Sequence, residues 1–197
     1  MTGALRTRLA WGAAGRLVAA RPSRPPVEAH LVRRILVVLP TEEAALRAAW
    51  RVVEAFAAPV VPVVVGEAVA FVPDAYAGAV IRVGPDVLDW RGLPARALRD
   101  RLWAPGLDVA IGLGDPSDLA GAVLVGASPA AFRVGIDAPE TAGWYDLALG
   151  AATADPPGEL LARLGQIRPP RVTLDQPRAP RPPPRSPGRE PGARSGV

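Results

Sequence analysis

The chain reads as an α/β protein: one three-layer domain with a mostly parallel sheet of about six strands, covered by helices on both faces. Three observations predict this. Short runs rich in Val, Ile and Leu alternate with segments of helical period. The loops between them are a few residues long, as strand–helix–strand units require. The first run, RILVVLP at 34–40, is apolar without alternation, as a strand buried on both faces must be.

Residues 4–20, ALRTRLAWGAAGRLVAA, form an amphipathic helix with Leu5, Leu9, Ala13 and Leu17 spaced by four and Trp11 and Val18 beside that stripe. RPSRPP at 21–26 ends it, because proline cannot continue a helix. Three uses are expected for such a segment: packing on its own domain, docking on an anionic membrane surface or a protein partner, or organellar targeting. After the first strand, TEEAALRAAWRVVEAF (41–56) is helical. Thr41 can cap it, and Glu42 and Glu43 lie in the first turn, where the helix dipole favours carboxylates. Leu46, Ala49, Trp50, Val53 and Phe56 make its apolar stripe.

VVPVVVG (60–66) is a second strand, with Pro62 putting its first half at an edge. AVIRVG (79–84) is a third. LPARALRDRLW (93–103) is a helix with Pro94 near its start, LDVAIGLG (107–114) a fourth strand, and PSDLAGAVLVGA (116–127) a helix opened by Pro116. AFRVGI (131–136) and YDLALGA (145–151) are two more strands, and PPGELLARLGQI (156–167) is a closing helix. The last thirty residues hold nine prolines and seven arginines and almost no apolar side chains. They are expected to be a disordered tail of polyproline II character. The organisation predicted is therefore a basic helix and linker at 1–26, a Rossmann-like domain at 27–167 and a Pro/Arg-rich tail at 168–197.

The charge is unevenly spread. Residues 1–34 carry seven arginines against Glu28, and 168–197 carry seven against Asp175 and Glu190, while 35–167 carry nine against sixteen acids. The sequence pI of about 10.8 thus describes two basic arms on an acidic core. There is no lysine, which excludes Schiff-base and P-loop lysines, and no cysteine, which excludes disulfides and thiolate sites. The single histidine, His30, precludes a multi-histidine metal centre and reads as a linker residue. No metal and no cofactor are expected. With no membrane-length apolar run and no signal-peptide pattern, the expected location is cytoplasmic, with a peripheral contact at the inner face of the membrane as an option.

IGLGDPSDLAG at 111–121 looks at first like a phosphate-binding turn. The fingerprint G-x-G-x-x-G places Gly112 and Gly114 correctly but meets Ser117 where the third glycine belongs. It also follows the fourth strand. The first strand ends in LPTEEAA, with carboxylates where a phosphate would sit, so a nicotinamide or flavin site is not predicted.

Read with its flanks, GLDVAIGLGDPSDLAGAVLVGASPAAFRVGI (106–136) resembles a segment of the heptosyltransferase-like glycosyltransferases, the ADP-heptose:lipopolysaccharide group. LDVAIGL stands for that family's strand, SDLAGAVLVGA for its small-residue helix and FRVGI for its arginine-glycine strand, while RRILVVLP (33–40) resembles its opening strand. The resemblance implies the N-terminal, acceptor-side half of a GT-B fold. Members of the family usually carry a glycine and a catalytic aspartate after the first strand. This chain has Pro40, Thr41, Glu42 and Glu43, so Glu42 or Glu43 are the candidates for that base, with helix-dipole stabilisation the competing explanation. No second GT-B domain follows in the sequence.

Candidate ligand-binding residues are Thr41, Asp86, Asp89, Asp115, Ser117 and Asp118, all expected just beyond strand ends. Asp86 and Asp89, with Trp90 and Arg91, could frame a sugar; Asp115, Pro116 and Asp118 could equally start a helix. The leading expectation is a heptosyltransferase-like domain of envelope sugar metabolism that is non-catalytic or partner-dependent, binding a sugar or nucleotide-sugar. One alternative is a glycosyltransferase completed by another subunit. Another is a binding module whose basic arms hold anionic lipid or RNA by charge.

Overall fold

A computed structural model of the chain describes residues 3–25, 31–66, 72, 78–150 and 155–166. Six parallel strands form one sheet: β1 (Ile35–Leu39), β2 (Val60–Val65), β3 (Ile81–Val83), β4 (Val109–Gly112), β5 (Phe132–Ile136) and β6 (Leu147–Leu149). Their order is β3-β2-β1-β4-β5-β6, a Rossmann-like doubly wound arrangement. β1 is central and wholly buried, which explains its unbroken apolar run. Pro62 stands opposite Val37 of β1, while pairing to β3 begins only at Val63. The missing N–H of Pro62 therefore costs no bond on the β3 side.

The helices are α1 (Gly3–Ala19), α2 (Glu43–Ala55), α3 (Arg96–Leu102), α4 (Leu119–Gly126) and α5 (Pro156–Gln166). Successive β1 side chains point to opposite faces. Ile35, Val37 and Leu39 pack under α2 and α5 with Leu46, Trp50 and Leu160, whereas Leu36 and Val38 pack under α3 and α4 with Leu98, Leu102 and Leu124. The β5–β6 connection has no α-helix; residues 137–146 cross with a single 3-10 turn at Pro139–Thr141.

α1 adds a layer outside α4. Ala13, Ala14 and Val18 share a buried cluster with Ala122, Val123 and Ala127, and the Trp11 and Trp144 rings lie 5.7 Å apart. Arg21 then donates from Nη1 to the carbonyls of Gly126 (2.9 Å) and Trp144 (2.7 Å). Of the stripe expected from leucine spacing, only Ala13 is buried; Leu5 and Leu9 are 48% and 45% exposed. The contact is set by size. α4 presents alanine, glycine and valine, and α1 approaches it with its own small face, Ala10, Ala13 and Ala14. With both sides covered, every residue of α4 from Ala120 to Gly126 is buried, as a helix apolar all round requires.

Three helix starts differ from expectation. α3 begins at Arg96 because Pro94 bridges back to Leu88. α4 begins at Leu119 because residues 115–117 make a turn of their own. α2 is capped by Glu42, not Thr41. His30, residues 151–154 and the tail from 168 lie outside the described residues. Among the described residues no helix is long and apolar enough to cross a membrane.

Candidate functional site

Because all strands run one way, the loops that follow them gather along one edge, the side on which open α/β sheets hold ligands. Chain order reverses between β1 and β4, which makes a crevice there. Its lips are residues 40–42 and 113–118, and they touch. A Cβ on Gly114 would lie 3.4 Å from the Leu39 carbonyl oxygen and 4.0 Å from Pro40 Cα. The cavity left beside them measures about 10 Å³, room for roughly one water, among Gly112, Asp115, Asp118, Gly121 and Tyr145.

Thr41, Glu42, Asp115, Ser117 and Asp118 lie on these lips, and Glu43 opens α2 just behind them. Thr41 is exposed. Glu42 has extended backbone, and its carboxylate accepts from the N–H groups of Ala44 (3.0 Å) and Ala45 (2.7 Å). Those two donors, Ala45 first, hold its carboxyl below the usual range. Glu43 is paired along the helix with Arg47. Asp115 Oδ1 accepts from the backbone N–H (2.8 Å) and the hydroxyl (2.7 Å) of Ser117.

Asp118 is the cap of α4, accepting from Ala120 N (3.1 Å) and Gly121 N (3.3 Å). Burial nevertheless pushes its carboxyl upward, outweighing both donors. Gly121 has to be glycine for this: a Cβ there would meet Asp118 Oδ2 at 2.7 Å and Val38 Cγ1 at 3.1 Å. The glycines of IGLGDPSDLAG thus close a turn and seat a cap.

Asp86 and Asp89 follow β3, which β2 separates from β1, so they stand about 10 Å along the rim at roughly 4.8 Å per strand. They do not converge as a pair. Asp86 folds over the Gly84 backbone. Asp89 turns into its own loop, accepting from Arg91 N (2.8 Å) and Leu93 N (3.0 Å) and pairing with Arg91 Nε at 3.3 Å. Trp90 is 64% exposed, with the Arg91 guanidinium 5.1 Å from its ring centre.

The rim is acidic. The described residues of the loops after β1, β3, β4 and β5 present Glu42, Asp86, Asp115, Asp118, Asp137 and Glu140, and the one arginine there, Arg91, is paired to Asp89. Such a field disfavours phosphate and suits groups that donate hydrogen bonds. Among the described residues no three acidic or histidine side chains are grouped to hold a metal.

Two ion pairs, each with one buried member, escaped the sequence reading, at the opposite, amino end of the strands. Asp108, 2% exposed, accepts from Arg33 N (2.8 Å), Nε (3.3 Å) and Nη2 (3.2 Å). Arg33 draws the Asp108 carboxyl down, chiefly through the side-chain hydrogen bond. Arg133, 7% exposed, binds Asp146 through Nε (3.0 Å) and Nη2 (3.3 Å). In FRVGI, Arg133 therefore anchors β6, and a Cβ on Gly135 would run into the Tyr145 ring. The only signal was an arginine or aspartate at or just before a strand's start, too common to single out. Comparison with known protein families, with curated proteins and with solved structures returns no match.

Proposed function

We propose that this chain is a heptosyltransferase-like domain, equivalent to the acceptor-side half of a GT-B fold, that binds a sugar of the cell envelope and transfers nothing by itself. The observation that carries this reading is the use made of the rim carboxylates. Glu42, which stands where the resembling family keeps its catalytic base, is held by two backbone N–H groups with its carboxyl below the usual range. A general base works best near the operating pH, and a carboxylate so stabilised is a poor proton acceptor. Glu43 is engaged by Arg47.

The same rim can still accept hydrogen bonds. Exposed Asp115 and Asp86 offer free carboxylate lone pairs to sugar hydroxyls, whereas the acidic field repels a nucleotide's phosphates. This favours the acceptor sugar over the nucleotide-sugar donor. Because the crevice holds only about one water, the sugar lies across the open rim. A donor-binding partner would supply the rest of a working transferase.

The test is a calorimetric titration of the full chain with a deacylated lipopolysaccharide core oligosaccharide and, separately, with ADP. Heat from the oligosaccharide that disappears in Asp86→Ala/Asp115→Ala, with any heat from ADP unchanged by that substitution, is the expected result. ADP binding that Asp86→Ala/Asp115→Ala alters, or transfer of heptose from ADP-heptose by this chain alone, would overturn the proposal.

A further inference from the structure

A second cavity, of about 430 Å³, lies between the last turn of α1 and the loop that leads from β3 into α3. That size is within the range of about 300–1,000 Å³ that small-molecule sites occupy. Four guanidinium groups line it: Arg16 from α1, Arg91 from the loop, and Arg96 and Arg99 from α3. Their carboxylate partners are few. Asp89, which also lines the cleft, pairs with Arg91, and Asp100 pairs with Arg96 at 3.5 Å. Among the described residues Arg16 and Arg99 have no acidic partner.

Arg99 is the most telling of the four. Its guanidinium lies 5.5 Å from the centre of the Trp103 ring, which is itself fixed by a hydrogen bond from Nε1 to the Leu124 carbonyl (3.0 Å). Its Nε is buried with no hydrogen-bond partner. A buried donor left unmade costs free energy, and stacking on an aromatic face holds the planar fork in place without satisfying it. Like charges collected on two elements that meet only through the fold also repel. The repulsion is relieved by one ligand, an oxyanion with several acceptor oxygens.

We propose that this cleft binds a phosphate ester, through the guanidinium forks of Arg16 and Arg99 with Arg91 and Arg96 at its edges. Arginine forks match phosphate oxygens bidentately. Such a group could arrive on a soluble metabolite or on a lipid headgroup, and the shared chemistry is the dianionic phosphate. The site shares only Asp89 and Arg91 with the rim loops and does not depend on the sugar reading: an absent oligosaccharide signal leaves it standing.

The experiment uses the full chain, with pyrophosphate as the soluble probe and phosphatidylcholine vesicles containing phosphatidic acid as the lipid probe. Calorimetry should give a dissociation constant below about 1 mM for pyrophosphate, weakened at least about tenfold in Arg16→Ala/Arg99→Ala. Arg47→Ala/Arg51→Ala, with the same loss of charge from α2, should leave it unchanged. If the Arg99 variant loses its cooperative thermal transition, Arg16→Ala alone, on an exposed residue, must still weaken binding several-fold. Vesicle binding that Arg16→Ala/Arg99→Ala abolishes, without pyrophosphate binding, identifies the headgroup as the source and supports the same cleft. Binding of either probe that survives the double substitution, or of neither probe, overturns the proposal. RNA binding with no response to pyrophosphate or vesicles does so too.

Discussion

Two glycine-to-alanine substitutions in helices should move stability in opposite directions. On propensity alone, alanine improves a helix over glycine by up to about 1 kcal/mol. Gly12, in the exposed middle of α1, has nothing within 4 Å of a Cβ, so Gly12→Ala should gain about 0.5–1 kcal/mol. Gly126, at the end of α4, is different. Its Cβ would come 2.8 Å from Trp144 Cε3 and 3.3 Å from Trp144 Cβ, where carbon contacts are optimal near 3.5–4.0 Å. Trp144 is 8% exposed and backed by Trp11, so the ring cannot retreat without disturbing α1. Overpacking of this kind costs about 1–3 kcal/mol, which after a helix gain of up to about 1 kcal/mol leaves Gly126→Ala net destabilised by up to about 2 kcal/mol. At about 2–4 °C per kcal/mol for a chain of this size, Tm should fall by a few degrees in Gly126→Ala and rise slightly in Gly12→Ala. Thermal and urea unfolding followed by far-UV circular dichroism would measure both. A rise in Gly126→Ala equal to that in Gly12→Ala would refute the packing argument.

Two aspartates should titrate with opposite signs. Asp108 has its folded pKa lowered by Arg33, so its contribution is present above the unfolded value near 4 and is lost as pH falls through the folded value. Asp108→Asn should cost about 1–3 kcal/mol at pH 7, and urea unfolding near pH 3 should show that deficit shrinking; an unchanged deficit would contradict the ion-pair account. Asp118 has its folded pKa raised by burial, so its contribution is full below the unfolded value and fades as pH rises through the folded one. Asp118→Asn keeps an acceptor for the α4 cap and removes a buried charge, so at pH 7 it should match or exceed the native chain. Asp118→Ala should lose about 1 kcal/mol with the cap, and an Asn variant weaker than the Ala variant would sink this reading.

The fold was legible because its strands are unusually plain. The unbroken 35–40 run, the continuous apolar 60–66 and 109–114 segments and the short loops all reflect burial within a parallel sheet. Boundaries were less legible, because local side-chain hydrogen bonds decide them. Asp115 holds Ser117 in a turn and defers the helix to Asp118, and Glu42 outreaches Thr41 for the cap. The face of α1 was misjudged because leucine spacing measures hydrophobicity, while docking on α4 selects for small size at Ala10, Ala13 and Ala14.

For the rim, placement was legible and engagement was not. A parallel sheet puts Thr41, Asp86 and Asp115 on one edge from order alone, yet which carboxylate is occupied depends on backbone geometry. The arginine cleft was invisible in sequence for another reason. Arg16 and Arg99 are brought together only by α1 lying beside α3 and its loop, and arginine is common everywhere in this chain.

α4 has no polar side of its own, so its protection from water is on loan from α1. The two helices meet through alanines, one tryptophan pair and two carbonyl contacts from Arg21, a modest grip compared with the sheet beneath. Detachment of α1 is then a partial opening of lower free energy than global unfolding. It would bare a strip of alanine and valine with Trp144 while leaving the six strands paired. Docking of α1 is thereby what seals this surface, and it sets how long a finished sheet stays prone to association during folding.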